Sequence, residues 1–362
     1  MQRRAAGLTA LAASVLLVLG APASAAPYKS IWGPLEVGGV TQFPTYERLG
    51  VGIYQLSLSW SAAAPVRPAD PADPTDPAYR WPPEIDQAIG AGRGRGIRVS
   101  VLLSGAPGWA NGGRSSEWAP RDPDDFAQFA AAASRRYPGV RHWMIWGEPS
   151  KPERFRPLAR ATGRRLTPRQ RRGPRRYARI LDASYAALKE VSHRNLIIGG
   201  NTWTAGGVVP LNFIRAMRLP GGRRPRMDLY GHNPFTARLP DLRAGPLTYG
   251  TADFSDLDTL AGWLDRYGYR NSHGRRLRLF LSELTIPTDH ASFEFNFWVS
   301  PRTQAQWLQA ALRIARRWER IYTLGYLGLY DDAPRPDGLG VNRGLIRRSG
   351  KKKPAFQAFR RG

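Results

Sequence analysis

The sequence predicts an α/β protein, a single (β/α)8 TIM barrel preceded by a signal peptide. Three observations carry that prediction. Eight short β-rich runs recur along the chain, and amphipathic segments with helix start and stop residues lie between them. The chain has 362 residues, 42% of them hydrophobic, enough to bury a substantial core in one barrel.

The chain opens with "MQRRAAGLTALAASVLLVLGAPASAAP": two arginines, an apolar run from Leu8 to Gly20, and the small residues Ala23, Ser24 and Ala25. That layout predicts a secretory signal peptide over residues 1–25 with cleavage near Ala25/Ala26, a secreted protein, and a mature barrel over residues 26–362. The run is shorter than the roughly 20 apolar residues that span a bilayer, and no later stretch reaches that length. No membrane association is expected after cleavage. The chain has no cysteine, which excludes disulfides, thiolate chemistry and a lipid-modified cysteine.

The expected strands are Ser30 to Val37, Gly52 to Trp60, Ile97 to Gly105, Arg141 to Glu148, Asn195 to Trp203, Met227 to Phe235, Arg278 to Leu284 and Tyr322 to Asp332. The first helical segment, "WPPEIDQAIGAGRGRG", enters on a proline pair and leaves through glycines, so "GRGRG" reads as an exit turn and not as an RNA-binding box. "DPDDFAQFAAAASRRYPG" opens on Asp caps and stops at Pro-Gly. "GPRRYARILDASYAALKEVS" aligns Tyr177, Ile180, Leu181, Tyr185 and Leu188 on one stripe. "SDLDTLAGWLDRYG" and "SPRTQAQWLQAALRIARRW" each open with a Ser cap, and "KKPAFQAFRRG" closes the chain. Strand and helix alternate to the end, the pattern of a parallel sheet with helical crossovers.

In a barrel of this kind chemistry sits at the C-terminal strand ends. Among the glutamates, only Glu36, Glu148 and Glu283 fall at such ends. Glu148 ends the fourth strand and Glu283 the seventh, which lie across the mouth from each other. Two carboxyls are the minimum equipment for glycosidic cleavage: one protonated to release the leaving oxygen, the other ionised to attack or to activate water. The tryptophans near Glu148 supply low-dielectric surroundings that shift such groups. A lone glutamate reads first as a helix cap or an arginine partner; a pair at the fourth and seventh strands, each preceded by a buried run, reads first as catalytic.

Trp60, Trp109, Trp203 and Tyr330 fall at or just past strand ends, where flat rings either stack on a sugar or pack the barrel rim. His232 follows the sixth strand, as a substrate or carboxylate contact or as a core histidine; His142, inside the fourth, reads as structural. Asp331 and Asp332 read as loop polar groups or as a sugar contact. The five histidines are scattered, with no metal-ligand spacing and no sign of a cofactor.

The formal net charge is +26, from 54 basic and 28 acidic residues. Arginines occur along the whole length, so a solvated basic surface is one reading, and an anionic polymer as partner is the other. The densest stretch, Arg154 to Arg179, borders the expected cleft, either as a cationic rim for an anionic glycan or as a solvated loop. Charge alone gives no sign of a specific nucleic-acid site, and nothing in the sequence sets the oligomeric state.

At these residues the sequence resembles the clan A glycoside hydrolases, retaining (β/α)8 enzymes. Among them it is most similar to the family 39-like and family 5-like secreted cellulase-family glycosyl hydrolases of actinobacteria. "WGEPS" resembles the group's Trp-Asn-Glu-Pro-Asn, which implies Glu148 as acid/base, and "FLSEL" resembles its Thr-Glu-Phe/Tyr-Gly, which implies Glu283 as nucleophile. "SWSAAAPVRPADPADPTDPAYRW", "LLSGAPGWA", "GHNPF" and the closing "GLIRRSGKKKPAFQAF" match further landmarks in order. The resemblance covers nearly all the mature chain and implies a secreted retaining glycosidase cleaving β-linked poly- or oligosaccharides. Three positions depart from the group. Gly147 stands where its asparagine binds the sugar 2-hydroxyl, Gln55 where an arginine on strand two faces the nucleophile, and Phe235 where a tyrosine follows strand six. Those departures set out the alternative, a glycan-binding barrel with impaired catalysis.

Overall fold

A computed structural model describes residues 26–161, 163–292, 294–335 and 340–362; the expected signal peptide lies outside them. Eight parallel strands close into a barrel in chain order: β1 (Tyr28–Trp32), β2 (Val51–Ser59), β3 (Arg98–Ser104), β4 (His142–Ile145), β5 (Leu196–Trp203), β6 (Leu229–Asn233), β7 (Arg278–Leu284) and β8 (Ile321–Leu327), with β8 pairing back onto β1. A helix follows each strand: α1 (Phe43–Arg48), α2 (Pro83–Arg93), α3 (Pro123–Arg136), α4 (Arg172–Val191), α5 (Pro210–Ala216), α6 (Leu257–Arg266), α7 (Pro301–Arg317) and α8 (Pro354–Arg361). The short α1 and α5, of six and seven residues, hold too few turns for helical periodicity to reveal them.

The caps follow the sequence in two cases. Asp122 accepts from Asp124 N and Ser300 from Thr303 N. The expected Ser255 cap is instead an internal residue of a 3-10 turn, capped by Asp253, and α6 begins only at Leu257. The stripe on α4 is buried at all five of its positions.

Two apolar layers hold the barrel. Ile53, Met144, Ile198, Leu229 and Phe280 fill its interior, and a larger shell seals the strands to the helices. Each such side chain contributes about 1.5–3 kcal/mol by leaving water. His142 lies in the interior, its Nε2 at 2.8 Å from the Tyr322 hydroxyl. Burial pushes its pKa down to about 3, so it stays neutral as a core residue.

Several strand ends differ from expectation because the backbone turns earlier than the apolar runs stop. β1 ends at Trp32, before Gly33 and Pro34. Glu36 consequently sits in an exposed hairpin of Glu36–Val37 and Val40–Thr41, away from the barrel strands. β4 ends at Ile145, since Trp146 and Glu148 adopt φ of 61° and 46°. β8 ends at Leu327, where Gly328 takes φ 104°.

Candidate active site

Glu148 belongs to a left-handed bend just past β4. Non-glycine residues enter that region at a cost, so surrounding bonds must hold the bend. Trp146 N donates to Leu103 O at 2.9 Å and its indole Nε1 to Arg154 O at 2.8 Å. Asn201 on β5, buried and itself at φ 45°, donates its amide to Ile145 O at 3.2 Å and Trp146 O at 2.9 Å. The Tyr177 hydroxyl of α4 donates to Ile145 O at 2.9 Å. These bonds fix the bend and aim the Glu148 carboxyl inward.

Glu283 reaches the mouth by a different device. The pairing of β7 with β8 advances from Leu281↔Leu324 to Leu284↔Tyr326, so β7 carries one extra residue across Ser282 and Glu283. Such a bulge re-aims a side chain. Ser282 faces the barrel interior, where its hydroxyl donates to Gln55 Oε1 at 3.0 Å and accepts from Trp32 Nε1 at 3.1 Å. Glu283 then turns into the cavity above. The bulge fits only because residue 325 is glycine: a Cβ there would lie 2.1 Å from Ser282 O and 2.8 Å from Leu281 O. Gly325→Ala is therefore expected to push β7 out of register at Glu283. It should cost about 1–3 kcal/mol in urea unfolding and lower kcat far more than it raises KM.

Both glutamates line one cavity of about 850 Å³ together with Trp32, Trp203, Phe235 and Tyr330. An adjoining lobe of about 350 Å³ is also lined by both and by Trp32, Gly147 and Arg154. Glu148 Oε2 lies 2.9 Å from Lys151 Nζ, and its Oε1 accepts from Asn233 Nδ2 at 3.2 Å. The Glu283 carboxyl has no hydrogen-bond partner among the described residues. Burial pushes its pKa up to about 8, the neighbouring Glu148 carboxylate adds to the rise, and Lys151, Arg154 and Arg343 oppose it. At neutral pH burial thus favours a proton on the pair, with Glu283 as the side chain raised. One carboxyl held by a cation and one held neutral across an aromatic-walled cavity can exchange protons with, and attack, a sugar acetal.

The structure brings some of the expected residues together and separates others. Trp203 and Tyr330 stand in the cavity wall; Lys151 Nζ sits 4.4 Å from the centre of the Trp203 ring and the Tyr330 hydroxyl donates to Gln42 Oε1 at 3.0 Å. Trp60 does not reach it: the ring is 1% exposed and packs on Trp109, Phe126 and Phe129. Trp109 is spent outside the cavity, its indole donating to Ala64 O at 2.9 Å under the Arg67 guanidinium. His232 is fully buried, with Nε2 donating to Ala252 O at 2.9 Å and Nδ1 at 2.8 Å from Thr202 Oγ1. Burial pushes its pKa down to about 4, so it is a satisfied core histidine. Asp331 is buried against Lys353 Nζ at 2.6 Å, tying the closing segment to the end of β8. Asp332 lines the cavity, paired with Arg343 at 2.8 Å.

The departures take physical form here. Gly147 is part of the cavity wall, and a Cβ added there would already lie 3.1 Å from Leu102 Cδ2. Gln55 is buried and donates to Ser282 O at 2.9 Å and Ser30 Oγ at 3.2 Å, so an uncharged amide supports the Glu283 bulge. With no cation at that position, desolvation of Glu283 goes uncompensated from below. Phe235 keeps an aromatic ring in the wall beside Trp203 and Phe295.

Sequence reasoning passed over Trp32, Lys151, Asn233 and Arg343. Trp32 ends β1 immediately before Gly-Pro, and Asn233 ends β6 immediately before Pro234, so a proline just past a strand end was the available signal. Lys151 and Arg343 lie in loops, where one sequence carries no such mark.

No protein-family model and no curated protein matches the sequence. Solved structures do match in three dimensions. A family 39 glycoside hydrolase from Bacteroides cellulosilyticus WH2 superposes with TM-score 0.65 at 18% identity, over 92% of this chain and 63% of that one. A glucosidase from Croceicoccus marinus gives 0.62 at 16%, over 92% and 66%. A monomeric β-xylosidase from Caulobacter crescentus CB15 gives 0.58 at 16%, over 93% and 69%. The chain spans 63% and 66% of the lengths of the first two. The chain shares its fold with these family 39 glycoside hydrolase structures: a closed barrel of eight parallel strands.

Proposed function

We propose that the protein is a secreted retaining glycoside hydrolase acting on β-linked sugars of a poly- or oligosaccharide. The observation that carries this reading is the pair Glu148 and Glu283, delivered by β4 and β7 into one aromatic-walled cavity. Glu148 is the acid/base: it protonates the leaving oxygen, then activates water. Glu283 is the nucleophile that forms the glycosyl-enzyme, which water hydrolyses with net retention. Trp203 and Tyr330 offer ring faces to the sugar. Arg154, which lines both lobes and has no ion pair among the described residues, gives an anionic sugar a counter-charge.

Burial and the Glu148 carboxylate favour the pair's proton on Glu283, the reverse of what these roles require, so substrate must shift it toward Glu148 before attack. The same observation, with Gln55 in place of a cation, favours a second reading: a glycan-binding barrel that turns over slowly or not at all. A panel of aryl β-glycosides and β-linked polysaccharides separates the two. Release of the aryl group by the wild type and none by Glu283→Ala is the expected result. Glycan binding without release supports the second reading, and absence of both sinks the two together.

A further inference from the structure

A second cleft, of about 410 Å³, lies between the β4–α4 connection and α5. Its polar wall is Arg165, Arg171, Arg175, Arg215, Arg218 and Asn212, with no aspartate or glutamate. Several arginines elsewhere in the fold meet carboxylates, as Arg226 meets Asp182, Arg238 meets Asp253 and Arg320 meets Asp265. The cleft arginines touch only neutral groups: Arg171 donates to Leu166 O at 3.1 Å, Arg215 to Arg164 O at 3.2 Å, and Arg218 to Ile214 O and Met217 O at 3.0 Å. Arg165 and Arg175 have no side-chain partner among the described residues.

The local helix end adds to the same field. α4 starts at the cleft with Arg171 as its N-cap, no side-chain cap and no acidic residue in its first turn. Acidic groups are favoured there and cations disfavoured, because the helix dipole is positive at that end. By contrast, α3 opens on Asp122, Asp124 and Asp125. An uncompensated cluster of guanidiniums at a positive helix end is electrostatically unfavourable until an anion enters.

We infer that this cleft is a binding site for a phosphate group. A guanidinium forks onto two oxygens at once, so several arginines around one cleft suit a ligand with more than two acceptor oxygens. A phosphate supplies at least three and a charge near −2, whereas a carboxylate supplies two oxygens and a single charge. The phosphate is either free or carried on a larger molecule such as a phosphorylated sugar. The connection that forms the cleft also carries Glu153 and Arg154 into the wall of the larger cavity.

The test is calorimetric titration of the mature chain with sodium phosphate and with glucose 6-phosphate, at low and high sodium chloride. Variants are Arg171→Gln/Arg175→Gln, the single Arg215→Gln on α5, and a control of equal charge change at exposed positions elsewhere, Arg93→Gln/Arg302→Gln. Loss of at least about tenfold in affinity is expected for the double cleft variant, with a smaller loss for Arg215→Gln, little change in the control, and weakening by salt. Equal affinity for the two probes identifies free phosphate as sufficient; tighter binding of the sugar phosphate identifies a carried group. Equal losses in cleft and control variants, or binding of neither probe, would overturn the inference. Arg215→Gln leaves the α4 terminus untouched, so it keeps the test valid should the double variant fold poorly.

Discussion

Glu283→Gln is expected to lower turnover of any accepted glycoside by about four orders of magnitude or more, the scale on which removing a nucleophile acts. Its stability should move the other way. The Glu283 carboxyl is pushed from 4.5 to about 8 in the fold, so at neutral pH folding binds a proton that the unfolded chain releases. A raised acid of this kind lends full stability below its unfolded value and loses it as pH climbs through the folded one. Glutamine mimics the neutral form without the need to take up that proton. The variant should therefore melt above the wild type at pH 7, with the difference vanishing near pH 4. Scanning calorimetry at both pH values, beside initial rates, checks the pair of effects. A variant that retains activity, or melts lower at pH 7 than the wild type, removes Glu283 from the site as described.

The pH profile carries the second large effect. Cleavage needs one proton on the pair: none leaves the leaving group unprotonated, and two leave no carboxylate to attack. As pH rises through about 8, Glu283 gives up the last proton, so kcat/KM of the free enzyme should fall with a basic limb near that value. Lys151 is one of the cations that hold the limb down, and its ammonium also pairs with Glu148. Lys151→Gln should move the limb to higher pH, because both carboxyls lose a stabilising charge. An unmoved limb, or one shifted down, would mean that the proton belongs to another group.

Much of this architecture was legible because strand period, helix caps and Pro/Gly stops are local properties. The alternation of eight apolar runs with amphipathic segments, and the stripe on α4, depend on neighbours a few residues apart. The active-site geometry depends on residues far apart in the chain. Nothing around "FLSEL" announces an extra residue in β7. The bulge exists because Gly325, on the next strand, leaves room for the Ser282 carbonyl, and because Gln55 and Trp32 bond Ser282 from two other strands. Likewise the bend carrying Glu148 is held by Asn201 and Tyr177, from β5 and α4. For the same reason Trp60, just past β2, and His232, inside β6 and not beyond it as expected, are packed and satisfied: position along a strand does not tell which way a ring turns once the backbone has bent. Trp203 and Tyr330 do stand in the wall.

The proposed mechanism requires two acidic side chains acting on one sugar, with Glu283 making the covalent bond. The most direct measurement is peptide mass mapping after incubation with the 2-deoxy-2-fluoro derivative of a β-glycoside that the enzyme accepts, a substrate whose glycosyl-enzyme breaks down slowly. A single added glycosyl mass on the peptide containing Glu283 is predicted. A label on Glu148, or turnover with the anomeric configuration of the first product inverted and no label, would contradict it.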